Sequence, residues 1–176
     1  ISLFLTLYFA YYIPDKLELY LDNATKYADA KLIDRYNLPT STKARFFHIT
    51  IINKHKKKTA KNCKAYLISL KEKDNNNELL KAELPLKWMG YPTNITSVDI
   101  PPAGKVSFDA FYVIHNKPNE LLLNAFVDYS EFLPKVQKNT KLIAIYKVTA
   151  DGFKTKKDQF LITLSENLNN VSIEKI

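Results

Sequence analysis

Apolar and polar positions alternate along most of the chain with a period of two, which is the signature of half-buried strands. Lys16–Asp22 (KLELYLD) sets Leu17, Leu19 and Leu21 on one face and predicts a short strand. Ala44–Asn53 (ARFFHITIIN) sets Phe47, Ile49 and Ile51 on one face, and its aromatic and β-branched content suits a pleated surface. Asn62–Leu70 carries Cys63, Ala65 and Leu67 on one face and Tyr66, Ile68 and Leu70 on the other. Further strands are predicted over Glu83–Trp88, where Pro85 suits an edge or a bulge, and over Val106–Ile114, Leu121–Val127, Lys141–Val148 and Gln159–Leu164. Ser97–Ile100 leads into the turn Pro101–Gly104. Polar turns fall at Lys54–Lys58, Asp74–Asn77 and Ala150–Gly152, the last a hairpin signal. Asn23–Tyr36 departs from the pattern: it is Ala-rich, follows Asp22 or Asn23 as an N-cap, and reads as a short helix or a long turn. Pro39–Thr42 reads as a loop.

About seven or eight strands with recurrent turns and no long amphipathic helix predict an all-β fold, an antiparallel sandwich. Its expected core is Phe47, Ile49, Ile51, Cys63 or Tyr66, Leu67, Trp88, Phe108, Phe111, Leu122, Phe126, Ile143, Ile145, Phe160 and Ile162. The expected organisation is a hydrophobic segment over 1–13, a first strand and connecting segment over 14–43, the sandwich over 44–165 and a polar tail over 166–176.

The uncharged run Ile1–Pro14 stands apart. It is shorter than the ~20 apolar residues of a membrane helix, yet Tyr8, Tyr11 and Tyr12 gather near its end as at a headgroup boundary. It also alternates, with Ile1, Leu3, Leu5, Leu7, Phe9, Tyr11 and Ile13 on one apolar face, as a strand donated to an open sheet edge would. Membrane anchor, donated strand and internal core element are the three readings; no small-residue cleavage site before Pro14 favours a signal peptide.

Composition narrows the chemistry. The three glycines, Gly90, Gly104 and Gly152, are too far apart for a P-loop or a dinucleotide fingerprint. One cysteine excludes an intrachain disulfide framework, and with three scattered histidines it excludes a Cys-rich zinc module. The net charge of +8 comes almost wholly from lysine, since Arg35 and Arg45 are the only arginines; that bias argues against base-specific nucleic-acid recognition, which leans on bidentate Arg.

Within this pattern, Phe47–Leu70 resembles the early hairpin of prokaryotic immunoglobulin-like sandwich domains. A strand ends in Asn, at Ile52-Asn53, a short polar turn follows, and the next strand opens with the step Ala60-Lys-Asn-Cys63. Ile100–Gly104 is similar to the turn that follows in that family, and Ile143–Leu164 to its closing hairpin. The resemblance covers about Ala44 to Leu164. It implies an immunoglobulin-like sandwich of the archaeal type, as found behind one N-terminal membrane helix in uncharacterised surface proteins, or as the head of a filament (pilus) subunit. The inter-sheet disulfide of antibody domains is missing, because Cys63 has no partner, and Trp88 stands as the candidate core tryptophan.

The densest basic cluster is Lys54, His55, Lys56, Lys57, Lys58, Lys61 and Lys64, a polyanion site or a solvated hairpin tip; Lys154, Lys156 and Lys157 form a second. His48, His55 and His115 lack metal-ligand spacing. Cys63 beside Lys61 and Lys64 is either an activated thiol or a small buried hydrophobe. Asp128 with Glu131, or Asp99 with Asp109, are the carboxylate pairs a hydrolase would draw on, and no GxSxG elbow occurs. Sequons at Asn23, Asn94 and Asn170 fit an extracellular glycoprotein. The expectation is a domain that is not an enzyme, takes no cofactor or metal, and sits at the cell surface, anchored at Ile1–Ile13 and contacting other subunits or envelope proteins. A filament subunit and a polyanion binder using Lys54, Lys56, Lys57, Lys58 and Lys61 are the alternatives, with nucleic acid disfavoured as partner.

Overall fold

A computed structural model describes residues 16–33, 39–126 and 139–176. Twelve strands follow in order: β1 Leu17–Tyr20, β2 Tyr27–Ile33, β3 Pro39–Asn53, β4 Ala60–Glu72, β5 Glu78–Leu80, β6 Leu84–Pro85, β7 Val98–Ile100, β8 Lys105–Ile114, β9 Lys117–Leu122, β10 Lys141–Asp151, β11 Lys156–Thr163 and β12 Ser172–Lys175. All named pairings are antiparallel, and they build two sheets. The first runs β1-β3-β8-β9, with β2 on the same edge of β3 as β1. The second runs β12-β11-β10-β4, and β5, β6 and β7 succeed one another along the far edge of β4. The long strands β3 and β4 are each the spine of one sheet, and the short Lys54–Thr59 loop joins them.

The core lies between the sheets. Phe47 stacks on Phe111 with centroids 4.5 Å apart, and a chain of rings continues from Trp88 to Phe108, Tyr146 and Phe160. One bulge makes this possible. Phe47 faces Phe111 but His48 faces Asp109, so Ala110 is the extra residue on β8. The bulge turns both Phe108 and Phe111 inward at a spacing that a regular strand would split between two faces. Tyr146 donates its hydroxyl to the Ala110 carbonyl at 3.3 Å, giving the buried phenol a partner at the same bulge. Burial pushes the Tyr146 hydroxyl pKa upward.

The sheets meet along both sides. Residues 84–89 begin on β4 and cross to β8: Leu86 donates its N–H to Ala65 O, while Trp88 bridges Phe108 and Met89 donates to Ser107 O. Opposite, Lys175 Nζ donates to Leu19 O at 2.7 Å, tying β12 to β1.

Several expectations need correction. Asn23–Ile33 is neither helix nor connecting turn: after a turn at Asn23–Thr25 it forms β2, which pairs with β3 from Phe47 to Pro39. Pro39–Thr42 is strand, the outer end of β3, because β2 gives its backbone partners. Leu70 is buried with Leu67, because Leu67 faces Tyr146 and Ser69 faces Ile145, leaving Ile68 as a bulge that shifts the phase. In β10 both faces are apolar, and the inward set is Leu142, Ala144, Tyr146 and Val148, so Ile143 and Ile145 lie half-buried on the outer face. Leu122 and Phe126 are half-buried, and Leu121 is the buried member of its pair. The residues expected as a polar tail carry a turn of 3-10 helix and β12, with Val171 and Ile173 buried against β11. The strands β2, β5, β7 and β12, which had no counterpart among the expected strands, account for the difference between the expected and observed strand number. The remaining predicted core positions Phe47, Ile49, Ile51, Cys63, Leu67, Trp88, Phe108, Phe111, Phe160 and Ile162 are buried.

The phase of β10 sets an expected outcome. Leu142→Ala loses about 2–5 kcal/mol of stability, as for a filled core position, whereas Ile143→Ala loses about 1 kcal/mol. Urea unfolding of the two variants measures both, and the reverse order contradicts the observed phase.

Candidate functional site

One end of the sandwich collects three turns, and a single side chain organises them. Asn53 ends β3 fully buried, and its Nδ2 donates to Lys58 O at 2.7 Å, Ile100 O at 3.0 Å and Pro101 O at 3.2 Å. Its Oδ1 accepts the His55 N–H at 3.0 Å. The β3–β4 loop and the Pro101–Gly104 turn are thereby held against each other. That turn closes with Gly104 N–H on Pro101 O, and a Cβ at Gly104 would sit 2.7 Å from Pro101 Cγ, so glycine is required.

The loop then folds on itself and reaches the β10–β11 turn. His55 Nδ1 accepts the N–H groups of Lys57 and Lys58. Lys58 Nζ donates to Gly152 O at 2.8 Å and lies 4.8 Å above the Phe153 ring. Gly152 has φ +68°, the left-handed geometry that a tight hairpin turn demands. The two basic clusters of the sequence therefore meet at one end. Lys56, Lys57, Lys61, Lys64, Lys154 and Lys157 are exposed there. Lys54 is ion-paired to Glu18 at 3.2 Å, and Lys156 to Asp158 at 2.9 Å.

Beside this end, the outer face of the second sheet forms a groove of about 500 Å³. Asn62, Lys64 and Tyr66 of β4 and Thr149 and Asp151 of β10 make its floor, and Thr96 and Ser97 make a wall. Asn62 takes φ +51° at an irregularity of the β4 ladder, a conformation Asn tolerates better than most residues. Its N–H is accepted by Asp99 Oδ1 at 2.9 Å and its side-chain amide donates to Asp151. Lys147, ion-paired to Glu83, stands 4.7 Å over the Tyr66 ring.

A second polar cluster, unmarked by any sequence motif, lies on the first sheet. His48 is 3% and Asp109 7% exposed; His48 Nδ1 sits 2.9 Å from Asp109 Oδ1, and Asn124 donates to Asp109 Oδ2 at 2.6 Å. The Nδ1 contact lies outside hydrogen-bond geometry, and Nε2 is buried without a partner. Thr50 and Ser107, the next cross-strand pair, hydrogen-bond each other at 2.9 Å. A histidine beside a carboxylate has the polarity of a general base, yet no described hydroxyl hydrogen-bonds its Nε2. The sequence signals for this pair were slight: His48 alternates with the apolar Phe47 and Ile49, and Asp109 stood out only as a partner for Asp99. On the edge strand β2, Asp29 binds Arg45 through two hydrogen bonds and lies 3.3 Å from His115 Nε2. The guanidinium holds the Asp29 carboxyl below its ordinary pKa.

The remaining sequence-derived positions fall as follows. Asp99 and Asp109 lie in different sheets and form no pair. Asp128 and Glu131 lie outside the described residues, as does the whole segment from Ile1 to Ile13, including Leu3, Leu5, Leu7, Phe9 and Tyr11. Asn23, Asn94 and Asn170 are exposed. Among the described residues, no group of three or more His, Cys, Asp or Glu is placed to hold a metal ion, and no helix is long and apolar enough to cross a membrane. Comparison with protein-family models, curated proteins and solved structures finds no match to this chain.

Cys63 is fully buried on the inner face of β4, with its Sγ donating to Ala60 O at 3.3 Å. Burial, reinforced by Asp99, pushes the thiol up to about 12, so the neighbouring lysines do not activate it. A chromogenic disulfide reagent at pH 8 is expected to leave the native chain unlabelled for minutes and to titrate its single thiol after unfolding in urea. Rapid labelling of the native chain contradicts the burial.

Proposed function

We propose that this chain is a non-catalytic surface domain: an immunoglobulin-like sandwich whose hydrophobic segment Ile1–Ile13 attaches it to a membrane, and whose exposed faces contact other proteins or the envelope. The observation that carries this reading is that both sheets assemble from the described residues alone. Each of the twelve strands finds its ladder partner among residues 16–33, 39–126 and 139–176. On this reading Ile1–Ile13 is left to serve something outside the sandwich, and its uncharged, Tyr-flanked sequence suits a membrane boundary. The exposed sequon asparagines agree with an extracellular, glycosylated setting. A filament subunit is the same architecture with Ile1–Ile13 seated in a neighbouring copy instead of lipid.

A polyanion-binding role is the second reading, favoured by the convergence of the two basic loops through Lys58 and Gly152. Lys56, Lys57 and Lys61 are its most available contacts, whereas Lys54 and Lys58 are engaged within the protein. Such binding weakens steeply with salt.

The test compares Lys16–Ile176 with the full chain by light scattering and by flotation with vesicles. The surface reading expects a folded, monomeric short chain and a full chain that floats with lipid. A full chain that forms long assemblies without lipid, beside a folded short chain, selects the filament. A short chain that aggregates overturns the membrane-surface reading, because it makes Ile1–Ile13 a strand that the sandwich needs, from its own chain or from a neighbour.

A further inference from the structure

We propose that the Tyr66 groove binds an anionic glycan, a chain of sugar rings carrying carboxylate, sulfate or phosphodiester charge. The inference deepens the surface reading above, because it supplies the envelope contact which that reading leaves open. It rests on two features that occur together. The first is the groove, a shallow, polar and open depression of about 500 Å³ whose floor is a sheet face. The second is the band of exposed lysines at the adjoining end, where Lys61 and Lys64 continue from the groove to Lys56, Lys57 and Lys154.

The lining has the chemistry of polyol recognition. A sugar ring offers hydroxyls that both donate and accept, and two faces of C–H groups. Thr149, Thr96 and Ser97 answer the hydroxyls with groups that both donate and accept. Asp151 offers carboxylate oxygens, and Asn62, whose amide is bonded to Asp151, keeps that carboxylate oriented. Tyr66 supplies an aromatic ring in a partly exposed position. Lys147 stands over one face of that ring and holds it in place. β-strand backbone fixes the spacing of the floor groups, with Lys64 opposite Thr149 and Lys147 opposite Tyr66 in the β4–β10 ladder, while Thr96 and Ser97 come from the segment just before β7. A rigid sheet face loses little entropy on binding a chain laid across it.

The charge distribution selects an anionic chain over a neutral one. Lys64 and Asp151 both line the groove and offset each other there, with Asp99 bonded to Asn62 beside it; the positive field comes from the exposed lysines beyond, Lys61, Lys56, Lys57 and Lys154, along the path a polymer would take out of the groove. Nucleic acid fits less well. Sequence-tolerant single-strand binders stack successive bases on several aromatic rings, and this groove holds Tyr66 alone.

The experiment is calorimetric titration of the purified full chain in mild detergent. The probes are an oligogalacturonate, a sulfated oligosaccharide and a phosphodiester-linked sugar oligomer, which separate the three sources of charge. A neutral oligogalactan and a polyphosphate of matched charge are the controls. At least one charged glycan is expected to bind ten-fold or more tightly than both controls. Tyr66→Ala should weaken that glycan ten-fold or more and leave polyphosphate unchanged. Asn62→Gly keeps the left-handed backbone and should weaken the glycan several-fold, so it serves where Tyr66→Ala lowers the melting temperature. Binding to none of the charged glycans overturns the proposal. So does glycan binding no tighter than polyphosphate and indifferent to both substitutions, which would reveal a basic patch without a sugar site. Cell fractionation addresses the surface location separately, so a protein found away from the envelope that still binds glycan defeats the location and not the site.

Discussion

A buried amide that must find partners for all its polar atoms governs the end of the sandwich where the basic loops lie. Asn53 closes β3, and its side chain takes three backbone carbonyls and one N–H from two different turns. Burying an amide without such partners costs about 1–3 kcal/mol per group lost, so the turns and the strand end are selected together. Leu17 pairs with the same residue from β1, which brings the start of the first sheet to this end as well. The β3–β4 loop that Asn53 holds is the one that carries the basic cluster, and Lys58 passes the order on to the β10–β11 turn.

From that end the two sheets diverge in what their outer faces present. The bulge at Ala110 aligns aromatic side chains inside the sandwich and, on the outside, sets His48 against Asp109. The irregularity at Asn62 in β4 opens the opposite outer face into a polar groove. Each departure from regular pairing thus has a consequence on both faces of its strand, because side chains alternate. The inner consequence is packing. The outer one is a cluster of polar groups at fixed spacing, buried at His48 and Asp109 and solvent-facing at the groove of β4 and β10.

The strand content and the hairpin turns were legible in the sequence because alternation and turn residues act locally. Phe47, Ile49 and Ile51 declared their face, and Asp151-Gly152 declared its turn. What was illegible depends on partners far along the chain. In β10, Leu142 and Ile143 are equally apolar, and only pairing with β4 decides which turns inward. The Ala-rich run at 27–33 has helical propensity, and the backbone of β3 overrides it. Bulges at Ile68 and Ala110 shift phase without a sequence mark of their own. Of the candidate sites, each basic cluster was visible, but their meeting joins positions far apart in the chain, at Lys58 and Gly152. The groove escaped notice because Tyr66, Thr96 and Thr149 come from three separate segments, none of which carries a motif.

The most direct test of this account is the unfolding free energy of Asn53→Ala in urea, measured beside Asn75→Ala, an asparagine in an exposed turn. Asn53 as the holder of two turns, with a third reached through Lys58, predicts a loss of about 2–4 kcal/mol, with Asn75→Ala within about 0.5 kcal/mol of the unaltered chain. Two equal, small losses would mean that the turns stand without Asn53, and would contradict the account.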